Sequence, residues 1–176
     1  MAGGDRKLIL DACVLIDFLE QDAAVLAAAS RSIGRIIVPT PLLLEVRQLT
    51  ETLCGDLGFT LAEPDLSVVR TAAVRGGGLS STDRLCLLMA KDLGATLYSN
   101  DKPLIGAAIA CGVDARWGLE LLLELVGAGM EGEAALEAAT RICGRSSYNQ
   151  RALEPFLREF ASICPHLVDA TREVIN

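Results

Sequence analysis

A chain of 176 residues has room for one domain with, at most, an appended helical piece. With 51% hydrophobic and 22% charged residues it can bury a large core, which excludes an intrinsically disordered chain. The net charge of -7 and a pI near 4.7 exclude binding of nucleic acid by bulk attraction, although a local basic patch can coexist with an acidic total.

The opening Met-Ala-Gly-Gly-Asp-Arg-Lys is too polar for a signal peptide, and no uninterrupted apolar run approaches membrane-spanning length, so a cytoplasmic protein is expected. Six cysteines lie far apart with no C-x-x-C pair. That spacing argues against a zinc or cluster site and for small buried hydrophobes in a reducing compartment.

In chain order, the apolar run Leu8 to Leu10 reads as a buried strand that ends at once in Asp11. Asp11 either caps the following helix or stands in the crevice where parallel strands diverge. Helical character follows over Val14 to Leu19 and Ala23 to Ile33; Asp17 reads as a solvated helix position or the edge of a pocket. Arg35 to Pro39 is a second strand, short, β-branched and closed by proline. Thr40 and Pro41 then open a helix that carries Leu42, Glu45, Val46, Leu49 and Leu53. Its spacing places Glu45 on the apolar stripe, three residues after Leu42 and four before Leu49, where a carboxylate needs a partner such as Arg47 or a function.

Phe59 to Glu63 reads as an edge strand, Asp65 to Val74 as a short helix, and Arg75 to Gly78 as a break. No Lys-Ser or Lys-Thr pair follows those glycines, so a phosphate-cradling P-loop is not supported. Ser80 and Asp83 form a capping-box pattern ahead of the helix Leu85 to Leu93. Asp83 shares that helix's apolar face with Cys86, Leu87 and Ala90, while Arg84 and Lys91 fall on the opposite, solvated side. Thr96 to Ser99 is another strand and again ends in an acid, at Ser99-Asn100-Asp101. A helix over Leu104 to Cys111 and a short final strand ending at Trp117 complete the alternation. Trp117 reads as packing over a sheet edge or stacking on a base. Strands alternating with helices call for a parallel sheet between two helical layers.

Beyond Leu119 the pattern is purely helical, over Leu119 to Val126, Glu133 to Cys143 and Arg151 to Cys164. Ser146 to Asn149 links the last two, and Pro165 precedes a short tail, Val168 to Ile175. His166, the only histidine, gives a His-based catalytic triad little to stand on. The division expected is a core over 1–118 and a helical extension over 119–176.

Four acids, Asp11, Glu45, Asp83 and Asp101, thus face inward or into the crevice. At about 4 Å and an effective dielectric of about 20, each like-charged pair costs roughly 4 kcal/mol. Such a cluster requires partial protonation or a cation, and all-oxygen ligation favours Mg²⁺ or Mn²⁺. That chemistry points to phosphodiesters.

The order of these acids in their contexts is Asp11 after the first strand, Glu45 in Val38-Pro39-Thr40-Pro41-Leu42-Leu43-Leu44-Glu45-Val46, then Leu79-Ser80-Ser81-Thr82-Asp83, then Thr96-Leu97-Tyr98-Ser99-Asn100-Asp101. Over roughly residues 7 to 118 it resembles the PIN domain, and specifically the VapC-type toxins of toxin–antitoxin pairs. The resemblance implies an α/β/α fold with a five-stranded parallel sheet, a metal-dependent ribonuclease acting on RNA, and commonly a homodimer. It implies that Asp11, Asp83 and Asp101 hold one or two Mg²⁺ or Mn²⁺ ions, with Glu45 as ligand or water-orienting group. Ser99 and Asn100 would support the last acid. Arg84, Lys102 and Arg116 are candidate phosphate contacts. The helical stretch after Trp117 is longer than in the smallest members of that family.

A second reading is a catalytically silent module whose acidic pocket receives an arginine from a protein partner such as an antitoxin. A haloacid-dehalogenase-type phosphatase would need a second Asp two residues after Asp11, where this chain has Cys13.

Overall fold

The computed structural model describes residues 6–74, 78–145 and 150–167. Its elements, in order, are β1 (Lys7–Leu10), α1 (Ala12–Ser32), β2 (Arg35–Pro39), α2 (Leu42–Glu45), α3 (Glu51–Asp56), β3 (Thr60–Ala62), α4 (Leu66–Ala73), α5 (Ser81–Leu93) and β4 (Thr96–Ser99), followed by α6 (Lys102–Ala110), β5 (Ala115–Trp117), α7 (Glu120–Gly127), α8 (Gly132–Arg145) and α9 (Gln150–Ile163). A single 3-10 turn, Pro165–Leu167, follows and carries an exposed His166. The expected break at 75–77, the linker at 146–149 and the tail from 168 lie outside the described residues.

The five strands form one sheet in the order β3-β2-β1-β4-β5, and every neighbouring pair is parallel. Leu8, Ile9 and Leu10 are at most 1% exposed, as expected for strands covered on both faces. Each parallel step needs a crossover, and the helices between strands supply it. Helices α1 and α7 pack together and on the sheet; α5 and α6 pack together and on the sheet as a second layer. This is the three-layer α/β/α arrangement expected from the strand–helix alternation.

Three expectations change. Helix α1 runs through both expected helical stretches but kinks at Asp22 (φ -161°, ψ 76°), where Arg141 of α8 pairs with the Asp22 carboxylate. The helix expected to run on past Thr40 is broken: α2 is a single turn, Val46 leaves it in an extended conformation (φ -93°, ψ 92°), and α3 begins anew with Thr50 as its cap. The extended Val46 lets Leu42, Val46 and Leu49 all reach the core without the stripe that would have buried Glu45, and Glu45 is exposed. The cysteine reading also needs revision, because Cys13 and Cys111 are exposed while Cys54, Cys86 and Cys164 are buried.

Side-chain alternation along β4 divides the sheet chemically. Thr96 and Tyr98 point to the α7 side. There Glu124 of α7 accepts the Tyr98 hydroxyl, is bonded by Arg6, and takes an N–H from Arg116 at 2.6 Å. Arg6 also reaches the Tyr98 oxygen at 3.2 Å and the Thr96 hydroxyl oxygen at 3.3 Å. Burial by itself would lift the Glu124 carboxyl, but the bonds from Arg6 and Tyr98 outweigh it and hold it below its ordinary value. Through this network the first helix after β5 is tied to the central strands.

Glu124→Ala should leave the fully buried Tyr98 hydroxyl and two guanidinium groups without their shared acceptor, at a cost of about 2–4 kcal/mol at neutral pH. Because the folded-state carboxyl lies below its ordinary value, the stability it confers is lost as pH falls. The deficit of the variant, followed by urea melts, should therefore shrink below pH 4.5.

Candidate functional site

The chain builds β1, β2 and β3 outward on one side and then returns to place β4 and β5 on the other, so the order reverses between β1 and β4. The carboxyl ends of those two strands flank the crevice where open parallel sheets bind their ligands. Asp11 leaves β1 there, and Ser99, Asn100 and Asp101 leave β4 beside it.

Asp11 is 1% exposed. It caps α1, with Oδ1 accepting the Val14 N–H at 2.8 Å, and its Oδ2 accepts the Ser99 hydroxyl. Its own N–H donates to the Tyr98 carbonyl at 3.0 Å, which closes the end of the β1–β4 pair. The Ser99 oxygen in turn accepts the Asp101 N–H at 2.9 Å. Asp101 caps α6 through the Leu104 N–H at 3.1 Å, with Pro103 in the first turn. Asp83 completes a capping box on α5, its Oδ2 accepting the Ser80 N–H and the Ser80 hydroxyl oxygen accepting the Asp83 N–H, both at 3.0 Å. For Asp11, capping and a place where the strands diverge, alternatives in the sequence, coincide in the structure, and Asp83 and Asp101 likewise stand at helix N-termini.

Asp83 and Asp101 lie near enough for their charges to act on Asp11. The Asp11 carboxyl is raised from 3.8 to about 6, first by burial and then by the charges of Asp83 and Asp101, against the lowering effect of its bonds to Ser99 and Val14. The exposed Cys13 thiol is pushed up to about 11, first by desolvation and then by Asp11, Asp17, Asp83 and Asp101. Beneath the site the buried Cys86 thiol is raised by desolvation and by Asp11, Asp83 and Glu45. Glu45 is exposed, and its charge acts on Cys86 after those of Asp11 and Asp83.

The remaining expected residues separate. Asn100 donates to Asp17 Oδ2 at 3.1 Å and accepts the Gly118 N–H at 3.2 Å, so it bridges α1, the β4–α6 turn and the end of β5. Asp17 is consequently half-buried, not solvated, and desolvation lifts its carboxyl to about 6 despite the bond from Asn100. The signal for this pair was an amide placed between two crevice residues, but its partner across the fold could not be read from spacing. Arg84 is not on a solvated side: its guanidinium folds back onto the carbonyls of Ala72 (2.7 Å) and Leu79. Arg116 is paired with Asp114 and Glu124, on the face opposite Asp11, because its register partner is Tyr98. Lys102, the first residue of α6, is exposed next to Asp101.

The donor set is hard, all-oxygen and free of His, which suits Mg²⁺ or Mn²⁺. Among the described residues, however, no three His, Cys, Asp or Glu side chains are gathered to hold one ion as they stand.

A carboxyl whose folded-state pKa is raised costs stability as it ionises; for Asp11 the cost is absent below pH 3.8 and complete above about 6. In metal-free buffer Asp11→Asn, which keeps a capping oxygen, should be more stable than the parent by about 1–2 kcal/mol at pH 8, with no gain at pH 3.5. Thermal or urea melts across that range measure the difference.

No family profile and no curated protein sequence matches this chain. Among solved structures it is similar to a PilT N-terminus domain protein from the hyperthermophilic archaeon Sulfolobus solfataricus P2. The superposition has a TM-score of 0.53 at 16% identity and covers 71% of this chain and 98% of that one. The likeness is one of fold: this chain has a PIN-like α/β architecture with additional C-terminal helices.

Proposed function

We propose that this protein is a divalent-metal-dependent endoribonuclease of the kind that serves as the toxin of a toxin–antitoxin pair. The observation that carries the reading is Asp11, buried at the sheet's switch point and bonded by Ser99, its carboxyl raised first by desolvation and then by the charges of Asp83 and Asp101. Asp11, Asp83 and Asp101 would hold Mg²⁺ or Mn²⁺, with Glu45 as a further ligand or as the group that orients the attacking water. The chemistry such an ion supplies is a lowered pKa for water and neutralisation of charge on the departing oxygen of a phosphodiester.

The chain's own residues prepare that site. Ser99 fixes the Asp11 carboxylate and, through the Asp101 N–H, the start of α6. Asn100 anchors the same turn to α1 and to Gly118. The amino ends of α1, α5 and α6 add positive dipole ends near the acids, which favours a phosphate entering among them. An arginine from an antitoxin could occupy the acidic crevice in place of substrate, and the toxin reading carries a homodimer with it.

Asp11→Asn and Asp101→Asn should each abolish Mn²⁺-dependent cleavage of an RNA substrate while circular dichroism stays that of the parent. Ser99→Ala, which removes the support of the Asp11 carboxylate, should weaken Mn²⁺ binding by about 10–100-fold in calorimetry. Cleavage by both Asn variants at the parent rate would remove the site assignment. Absence of Mn²⁺ binding together with tight binding to the product of a neighbouring gene would favour the silent, partner-binding module.

A further inference from the structure

We propose that Trp117 forms a stacking subsite that receives an unpaired nucleobase beside the carboxylate crevice. The proposal rests on the nuclease reading for its class of ligand, and on the geometry of β5 for its place. In the parallel ladder Ser99 pairs with Trp117 and Tyr98 with Arg116, and residues opposite one another share a face. Arg116 follows Tyr98 to the Glu124 side. Trp117 therefore follows Ser99 to the side on which Ser99 holds Asp11.

Trp117 is the last residue of an edge strand and its position is firmly set. Its N–H donates to Glu120 Oε1 at 3.0 Å, and the next residue, Gly118, donates to Asn100 Oδ1 at 3.2 Å. Asn100 directly precedes Asp101, so the indole's backbone and the acidic crevice are clamped to the same turn. Among the described residues, Phe18, Phe59, Tyr98, Phe156 and Phe160 are all buried, and Trp117 is the aromatic side chain that is not. A half-buried indole at the end of the edge strand, on the face that Ser99 shares, suits a base, because every base offers a π-face and a single strand can splay one out. A chain of net charge -7 gains little from bulk attraction to phosphates, so local stacking has a larger share of the binding to supply. Lys102, exposed next to Asp101, offers the nearby strand a positive charge.

Trp117 is the sole tryptophan, so its fluorescence reports this subsite alone. The full chain in EDTA would be titrated with oligoadenylate of about eight nucleotides and with an RNA duplex of the same length. A saturable fluorescence change with the single strand and none with the duplex is expected. Anisotropy of a labelled single strand should show Trp117→Phe binding close to the parent and Trp117→Ala about tenfold weaker. Should the alanine variant misfold, Trp117→Leu, which keeps apolar bulk without the π-face, should show the same loss. An unchanged fluorescence signal while labelled RNA binds, an undiminished affinity in the Ala and Leu variants, or no binding of single strands at all would overturn the proposal. Failure of the nuclease reading is distinguishable, since base stacking with no Mn²⁺-dependent cleavage would sink that reading and leave this subsite standing.

Discussion

The hydroxyl of Ser99 is the point on which the crevice depends. It donates to the buried Asp11 carboxylate and accepts the N–H of Asp101, so one small side chain joins the ends of the two strands between which the sheet reverses. A carboxylate that is 1% exposed survives ionised only if its oxygens are bonded. Val14 and Ser99 supply those bonds, and they work against the desolvation that lifts Asp11. Alanine at this position would take away the donor and leave the desolvation in place. The same residue therefore favours the charged form of Asp11 and bonds the N–H of Asp101 where its helix begins.

That arrangement holds only while β4 keeps its register. Side chains alternate along the strand, so a slip of one residue would turn Ser99 toward α7 and Tyr98 toward Asp11. The network around Glu124 opposes such a slip. Tyr98, Thr96, Arg6 and Arg116 come from β4, the lead into β1, and β5, and they satisfy one another only in the observed pairing. The ion network on one face thus fixes the placement of the acids on the other, and it extends the constraint to α7 in the C-terminal helical region.

Much of this was readable in the sequence because the relevant signals are local. Short apolar runs that end in Asp11 or in Ser99-Asn100-Asp101 mark buried strands opening into a crevice, and Ser80 with Asp83 marks a helix start. What failed depended on the third dimension. The stripe from Leu42 through Leu49 has helical spacing, yet an extended Val46 satisfies the same apolar positions with less helix and leaves Glu45 on the surface. Arg84 and Arg116 carry the right charge for phosphates, but carbonyls and carboxylates brought to them by the fold engage their donors. Asp17 looked like a solvated helix position because its partner, Asn100, is a neighbour only across the crevice.

Helix capping by itself does not explain the choice of acids. Ser, Asn and Asp cap almost equally well, and a neutral cap would hold α1 or α6 with no repulsion between neighbours. Here Asp11 is raised to about 6, first by desolvation and then by the charges of Asp83 and Asp101, a cost that Asn or Ser would avoid. The positive ends of three helices offset part of that cost, but dipole ends favour a carboxylate by only about 0.3–1 kcal/mol each. On the proposed metal-dependent reading, the acids at these three helix starts would serve a cation as well as the helices they begin. The proposed divalent cation would offset the cost of ionising Asp11, because it attracts the acids that raise it in its absence.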